Sequence, residues 1–462
     1  MGWMQCSSAP TLAAKAEHLE KLGVPAELSL DLATWIDQTG GLLAECLDGA
    51  PHARALVNSL HDKAWFKLDG DDKYIQTLAG GRQGCILGPV VFNMIYSIAL
   101  RRTRTRLSDR GLLVEPKPRD SEPFWASAGT DWCLDVGGKD EDKIFEIAFV
   151  DDVAAMLAAV SADALMAALP IMVEELCFIL HSLGFVVNWK EGKTEAMVSL
   201  RGKRSQELRQ EIYEAGGNVQ LDPSCGCASL RIVSNYKHLG CKFGADCKAG
   251  PDTEHRVSTA MSSYCPLSQK VFAATEISRQ VRMRLFFSLV VSRLTYCVHT
   301  WSSLSRPAYK RLNSVYMRGL RRIAGKSRFN KESAKLATDK EVRQELGAMS
   351  LQCLLVRRRL LLLSQVVRFG SSHMQALFAT KRNDGSRLPW AEQVLCDMSL
   401  LFKNCNGKLD ELGPPEQYPE AWFNLMCTFP AQWAQIVRKL FLASMPFDEI
   451  QKAERIRRHA WI

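Results

Sequence analysis

The run IFEIAFVDDVAAML, residues 144–157, decides how this chain is to be read. Apolar residues Ile147, Ala148, Phe149 and Val150 lead into Asp151-Asp152, and Val153, Ala154, Ala155 and Met156 lead out. Two short apolar arms around an acidic pair predict a β-hairpin with the acids at its tip. Two readings of the tip stand at this point. Adjacent acids are common turn formers in solvent. On a hairpin buried along both arms, the same pair directs two carboxylates at one place, which suits a hard divalent cation with oxygen ligands.

Working outward, residues 1–70 read as helical with short breaks, and AAKAEHLEKLGVP (13–25) stops on Gly23 and Pro25. WFKLDGDDKYIQTL (65–78) reads as a hairpin turning at Asp69-Gly70-Asp71. A helix is expected over 85–106, with Pro89 in its first turn, Val91, Met94, Ile95 and Ile98 at helical spacing, and Arg101, Arg102 and Arg104 near its end. Residues 107–141, with three prolines and Gly137-Gly138, read as a loop or insertion. Beyond the acidic hairpin come an alanine-rich helix over 160–183, bent at Pro170, and a hairpin over 185–200 turning at Glu191-Gly192. YKHLGCKFG (236–244) reads as a short strand pair. From residue 253 the pattern is almost wholly helical; 381–418 look like a linker, and a last helical tail holds Trp422, Trp433 and Trp461.

Composition narrows the class. With 462 residues, 47% hydrophobic and 24% charged, the chain has the make-up of a globular protein of two or three domains. A net charge of +9 favours an anionic partner. The 15 cysteines mostly sit in apolar runs, such as Cys177 in EELCFIL, as reduced thiols do. Cys225-Gly-Cys227, with Cys241 and Cys247 downstream, matches no zinc spacing and reads as a loop with ordinary thiols. MGWMQCSSAP has neither the basic start nor the apolar core of a secretory signal, and no apolar run reaches a membrane span. The expectation is an intracellular protein, nuclear or cytoplasmic, neither secreted nor membrane-spanning.

Charge is concentrated in one stretch. From Ile277 to Lys331 there is no Asp or Glu. Arg279, Arg282, Arg284, Arg293, Arg318, Arg321 and Arg322 stand there with Lys310, Arg328 and other cations, and Tyr296, Trp301, Tyr309, Tyr316 and Phe329 are interleaved. Cations alternating with aromatic rings favour contact with nucleic acid, by phosphate neutralisation and base stacking. Arg357, Arg358 and Arg359 either extend that surface or cap a helical core.

The order of these segments resembles the reverse transcriptases of non-LTR retrotransposons. The family's motif B, RQGCPLSP-x-x-FN, is matched by Arg82, Gln83, Gly84, Cys85, Leu87, Pro89, Phe92 and Asn93, with Ile86 and Gly88 in place of Pro and Ser. Motif C matches Phe149-Val150-Asp151-Asp152. Motif D matches Leu183, Gly184, Asn188, Lys193 and Thr194, and motif E matches YKHLG at 236–240. LVVSRLTYCVHTW (289–301) and YMRGLRRIAG (316–325) are similar to thumb segments. The likeness runs from about residue 16 to about residue 370.

That resemblance implies an α+β fold: a right-hand polymerase palm, an antiparallel sheet with packed helices, then an all-helical thumb and a C-terminal extension. It divides the chain into residual fingers and palm helices (1–70), a palm with motifs B to E (71–250), a thumb that binds nucleic acid (251–370) and a linker with a helical tail (371–462). It implies RNA-directed DNA synthesis with an RNA template, a DNA primer and two Mg2+ ions. Asp151 would hold a catalytic metal, with Asp152 in support. Arg82, Gln83 and Gly84 would line the template–nucleotide pair, and Phe149 and Val150 would lie near the primer end. Lys193 would neutralise pyrophosphate, and the seven arginines from Arg279 to Arg322 would grip the duplex.

One departure matters. The family's third carboxylate lies in a D-x-x-KAFD segment shortly before a helix ending LGVP. Counting back from Leu22-Gly23-Val24-Pro25 places it over 2–8, which read GWMQCSS, and no acid precedes Glu17. The metal site is therefore expected to be incomplete in this chain. A longer parent or another element-encoded polypeptide would complete it; otherwise the chain is a nucleic-acid-binding remnant or an inactive copy.

Overall fold

The computed structural model describes residues 11–21, 24–39, 52, 55, 65–67, 74–76, 87–114, 146–149, 152–326, 337–370, 374, 378, 386–404 and 409–440. The fold is mixed and dominated by helices, with small antiparallel sheets, which is the α+β class read from the sequence. Among the described residues the strands form four separate two-stranded sheets. The described residues divide into two compact units, one of residues up to 234 and one from residue 235 on.

The first unit opens with helices α1 (Leu12–Lys21) and α2 (Ala26–Thr39), which close a small core through Ala16, Leu19, Val24 and Ala33. Strands β1 (Trp65–Lys67) and β2 (Tyr74–Gln76) pair antiparallel as the sequence predicts, with Lys67 opposite Tyr74. The turn residues 69–71 lie outside the described residues. Helix α3 (Leu87–Asp109) turns Tyr96, Ala99, Leu100 and Leu107 onto Leu169, Met172, Cys177 and Leu180 of α4 (Ala162–Ser182). Ser161 caps α4 by accepting from Ala164 N at 3.1 Å, and the helix continues through Pro170. Glu175, buried in this packing, pairs with Arg106 of α3 and with Arg110 just past its end, and the Arg106 hydrogen bond holds its carboxyl below the usual range.

Contrary to the sequence reading, α4 does have the length and hydropathy of a membrane-crossing helix. Its apolar side chains belong to a protein core shared with α3, and Glu175 sits among them in an ion pair.

The hairpin expected over 185–200 does not form. Phe185 and Trp189 turn inward instead: Phe185 packs edge-on against Tyr96 with ring centroids 5.5 Å apart, and Trp189 Nε1 donates to Cys225 O at 3.1 Å. Ala196 then makes a single parallel bridge to Ile232. The short helix α5 (Ser205–Glu214) follows, and strands β5 (Asn218–Gln220) and β6 (Ser229–Arg231) pair antiparallel after it. Burial pushes the Cys177 and Cys225 thiols up, as for buried structural cysteines.

The second unit begins at residue 235, earlier than the boundary after 250 read from the sequence, so YKHLG belongs with the helices. Strands β7 (Asn235–His238) and β8 (Cys241–Gly244) are joined by Leu239-Gly240, both at positive φ (47° and 80°). A two-residue turn with both φ positive matches strand twist, but a leucine there is strained. Helices α6 (Gly250–Leu267), α7 (Arg279–Phe286) and α8 (Arg306–Ala324) bury Tyr264, Phe286, Leu312, Tyr316 and Leu320 in one core. Residues 268–272 and 287–291 are π-helical. Gly325 ends α8 at φ 68°, and Thr338 and Glu341 form a capping box at the start of α9 (Asp339–Leu346).

Helix α10 (Leu351–Phe369) is buried along much of its length. Helices α11 (Pro389–Lys403), α12 (Pro419–Thr428) and α13 (Pro430–Leu440) wrap it, and Leu360, Leu363, Met398, Leu401, Trp422 and Trp433 share a core. Residues 381–418, read as a linker, therefore contain a core helix; the Pro, Gly and Asn that suggested a loop flank it. The chain beyond 371 shares that core with α10, which the sequence reading had placed in the thumb.

Gly319 of α8 faces the Phe286 ring so closely that a methyl group there would overlap it. Gly319→Ala should therefore destabilise by about 1–3 kcal/mol through overpacking, although Ala is the better helix former. A urea denaturation midpoint equal to or above that of the wild type would contradict this packing.

Candidate functional site

The acidic hairpin forms where the sequence predicts it. Strands β3 (Glu146–Phe149) and β4 (Asp152–Ala155) pair antiparallel, with Phe149 opposite Asp152, so two residues join them. Those two, Val150 and Asp151, lie outside the described residues, as do Arg82, Gln83 and Gly84. Alternation along the strands sorts the rest. Val153 and Ala155 pack on the α3–α4 core, and Glu146, on their face, accepts from Arg104 Nη2 at 2.9 Å. Ile147, Phe149 and Asp152 share the other face, where Phe149 is 61% exposed and Asp152 is open to solvent. The hairpin thus presents an aromatic ring opposite a carboxylate at its tip.

Lys193 stands exposed in the turn over 190–194, which is closed by Lys193 N to Lys190 O at 3.0 Å and Thr194 N to Asn188 O at 3.1 Å. Among the described residues no three His, Cys, Asp or Glu side chains converge as a metal site. Asp151 is not one of the described residues.

The seven arginines separate into two groups. Arg282 is buried: Nε donates to Ile277 O at 3.0 Å, and Nη1 to Phe272 O at 3.1 Å and Ile323 O at 3.2 Å. It joins three chain segments from inside the core, with Nε and Nη1 committed to backbone carbonyls. Arg321 is also committed within the protein, to Ala337 O at 2.9 Å and Asp339 Oδ1 at 2.6 Å. Arg322 Nε reaches Ser268 O at 3.4 Å.

Arg279, Arg284, Arg293 and Arg318 are exposed. Arg279 pairs at 3.4 Å with Glu345, and among the described residues Arg318 reaches Met261 Sδ, at 3.9 Å. Arg284 and Arg293 make no ion pair among the described residues. The stretch 277–331 is acid-free in sequence but not in space, because Asp339 and Glu345 fold back onto it.

Most of the interleaved aromatics are core. Tyr309, Tyr316 and Trp301 are buried, and burial pushes the Tyr309 hydroxyl up to about 12. Tyr296 alone of these four is exposed; Phe329 lies outside the described residues.

A second cationic feature escaped the sequence reading. Lys237 and Lys242 stand directly opposite each other on β7 and β8, both exposed, although like charges at such a position repel. His255 lies close by. Burial first, then the charges of Arg256, Lys237 and Lys242, hold its imidazole below the ordinary value, against the pull of Asp252. The signal was present in YKHLGCKFG: a two-residue turn sets the second residue before it opposite the second after it, out of phase with the ring-bearing positions, and both lysines fall there.

A buried carboxylate anchors this hairpin. Asp252 Oδ1 accepts from Lys242 N at 3.0 Å and from Arg256 Nε and Nη2 at 3.1 and 3.0 Å, and Oδ2 accepts from Trp301 Nε1 at 3.0 Å. Arg256 also donates to Gly240 O and lies over the Tyr296 ring, 4.9 Å from its centroid. Tyr296 Oη donates to Leu239 O at 3.1 Å. The strained turn is therefore held by two side chains, and YKHLG is tied to the 289–301 segment that the sequence singled out separately.

No protein-family model matches the chain, and no curated protein matches it either.

Arg282→Gln should remove donors from three buried carbonyls and cost at least about 2 kcal/mol of stability, whereas Arg284→Gln should stay within about 0.5 kcal/mol of the wild type. Equal denaturation midpoints for the two variants would contradict the division into core and surface arginines.

Proposed function

We propose that this chain is the palm and thumb portion of a reverse transcriptase of the non-LTR retrotransposon type, and that it binds primed RNA template. The observation that carries the reading is the hairpin tip: Asp152 exposed opposite an exposed Phe149, on the predicted hairpin and following an α3 that begins within the motif-B run. In this reading Phe149 and Val150 border the primer end, Arg82, Gln83 and Gly84 line the template–nucleotide pair, and Lys193 neutralises the leaving pyrophosphate.

Asp151 and Asp152 would hold Mg2+, since carboxylate oxygens are the donors this cation prefers. When bound, the metal ions would lower the barrier to phosphoryl transfer by stabilising the charge that develops on oxygen. Two carboxylates supply part of the ligand set that two ions need. The chain's own contribution is to hold Asp152 at a fixed register and to offer cations for the duplex: Arg279, Arg284, Arg293 and Arg318, with Lys237 and Lys242.

A second reading keeps the nucleic-acid grip without polymerisation. What favours it is the sequence, in which residues 2–8 hold no acid at the place of the resembled family's third carboxylate.

Titration of the chain with primed RNA–DNA template across salt concentrations tests both readings. Each phosphate contact adds about −0.9 to the slope of log affinity against log salt for duplex DNA, so the slope should reach at least about −3. Replacing Arg284, Arg293 and Arg318 together by Gln should flatten it by about 2 or more, while Asp152→Asn leaves binding unchanged. Mg2+-dependent extension abolished by Asp151→Asn would support the polymerase reading, and tight binding without extension the second. A flat salt dependence would contradict both.

A further inference from the structure

Helix α10 and its neighbour α13 contain two cations, Arg357 and Arg438, that no carboxylate answers among the described residues. Arg357, Arg358 and Arg359 stand in succession on that helix and have three different environments. Arg359 is buried and paired: Nε and Nη2 donate to Asp397 Oδ2 and Oδ1 at 2.5 and 3.1 Å, and Gln393 supports the same carboxylate at 3.0 Å. Arg358 is half-buried and donates from Nη1 to Thr295 O at 3.1 Å, beside His299, whose imidazole is held low by burial and by the Arg358 charge. Arg357 is half-buried and makes no hydrogen bond or ion pair among the described residues.

Its charged neighbour is another cation. Val356 and Val437, the residues immediately before Arg357 and Arg438, are both fully buried in one core. Trp433 Nε1 of α13 donates to Leu360 O of α10 at 3.2 Å, so the two helices are fixed against each other at this level. Arg357 and Arg438 therefore leave the rim of the same helix–helix contact. Burial first, and then the Arg438 charge, hold the Arg357 guanidinium below its ordinary value. A half-buried guanidinium with no acceptor among the described residues is costly, and Arg357, with the exposed Arg438 and the adjoining Arg358, forms the fork-like donor set that matches an oxyanion.

We propose that Arg357, Arg358 and Arg438 form a phosphate-binding site on the C-terminal helices, occupied by a backbone phosphate of nucleic acid. The choice of a nucleic-acid phosphate over a free one rests on the function proposed above; the oxyanion chemistry does not. The site gives residues beyond 371, which match no segment of the resembled family, a role in gripping the strand.

The test has two arms, each run on the wild-type chain and on the Arg357→Gln/Arg438→Gln double variant. In the first, melting temperature is measured in inorganic phosphate and in chloride at matched ionic strength. Phosphate should raise the wild-type value and leave the variant's unchanged, as binding to the folded state requires. In chloride the variant should melt no lower than the wild type, since two mutually repelling cations are gone. In the second arm a 20-nucleotide RNA is titrated across salt. The variant should bind about fivefold to tenfold more weakly at low salt, with a slope flatter by about 0.7 per lost contact.

Equal stabilisation of both proteins by phosphate, with unchanged RNA affinity, would overturn the site. Selective stabilisation by phosphate with unchanged RNA affinity would overturn the nucleic-acid assignment. A chain carrying Gln at Arg284, Arg293 and Arg318 should keep the phosphate-dependent rise, so failure of the thumb grip and failure of this site are read separately. Should the double variant not fold, Arg357→Lys, which keeps the charge and loses the fork, should show a diminished phosphate effect; an undiminished one would overturn the site.

Discussion

The second unit depends on one buried carboxylate. Asp252 lies in the first turn of α6, removed from water, and satisfies a strand amide of β8, a guanidinium one helical turn along and an indole N–H from the 289–301 segment. A carboxylate in that position is tolerable only when its lone pairs are all engaged, and the helix N-terminus adds a favourable dipole. The consequence is geometric. Arg256, oriented by Asp252, reaches Gly240 O, and Tyr296 beneath it reaches Leu239 O, so a leucine is kept at positive φ. The Lys237–Lys242 pair is presented on the hairpin so held, and like charges remain opposite each other because the backbone around them is fixed.

The arginine-rich stretch shows why charge count alone misjudges a surface. A guanidinium can satisfy its donors on backbone carbonyls, which leave no mark in the sequence. Arg282 does so three times, joining the π-helical segment near 272, the start of α7 and the end of α8. Arg321 draws its acid from α9, outside the acid-free run. Of the seven arginines, a smaller set remains exposed, Arg279, Arg284, Arg293 and Arg318. These four, with the two hairpin lysines, are the cations left for phosphate in the proposed function.

Much of the fold could be read from pattern. The acidic hairpin, the hairpin before α3 and the YKHLG pair all announced themselves through short apolar or aromatic runs around turn residues. The hairpin over 185–200 misled because Phe185 and Trp189 alternate as strand residues would, while their rings are claimed by the α3–α4 core and by Cys225 O. Residues 381–418 misled in the opposite sense: Pro, Gly and Asn at both ends hid a 15-residue helix whose buried face, Val394, Met398 and Leu401, lies between them. Of the site, the hairpin and its acidic tip were legible, but not that Asp152 would enter the strand opposite Phe149. The opposition of Lys237 and Lys242 became visible only once the turn at Leu239-Gly240 set the register, and the fate of Arg282 only once distant carbonyls came together.

The central claim is that the Asp252–Arg256 pair couples the β7–β8 hairpin to the helices, and a double-mutant cycle on Asp252→Leu and Arg256→Leu tests it most directly. Each single variant leaves one buried charge unpaired and should lose about 3–5 kcal/mol in chemical denaturation. The double variant, with neither charge present, should lose less than the sum by at least about 1.5 kcal/mol. Losses that add, with no coupling between the two positions, would contradict the account.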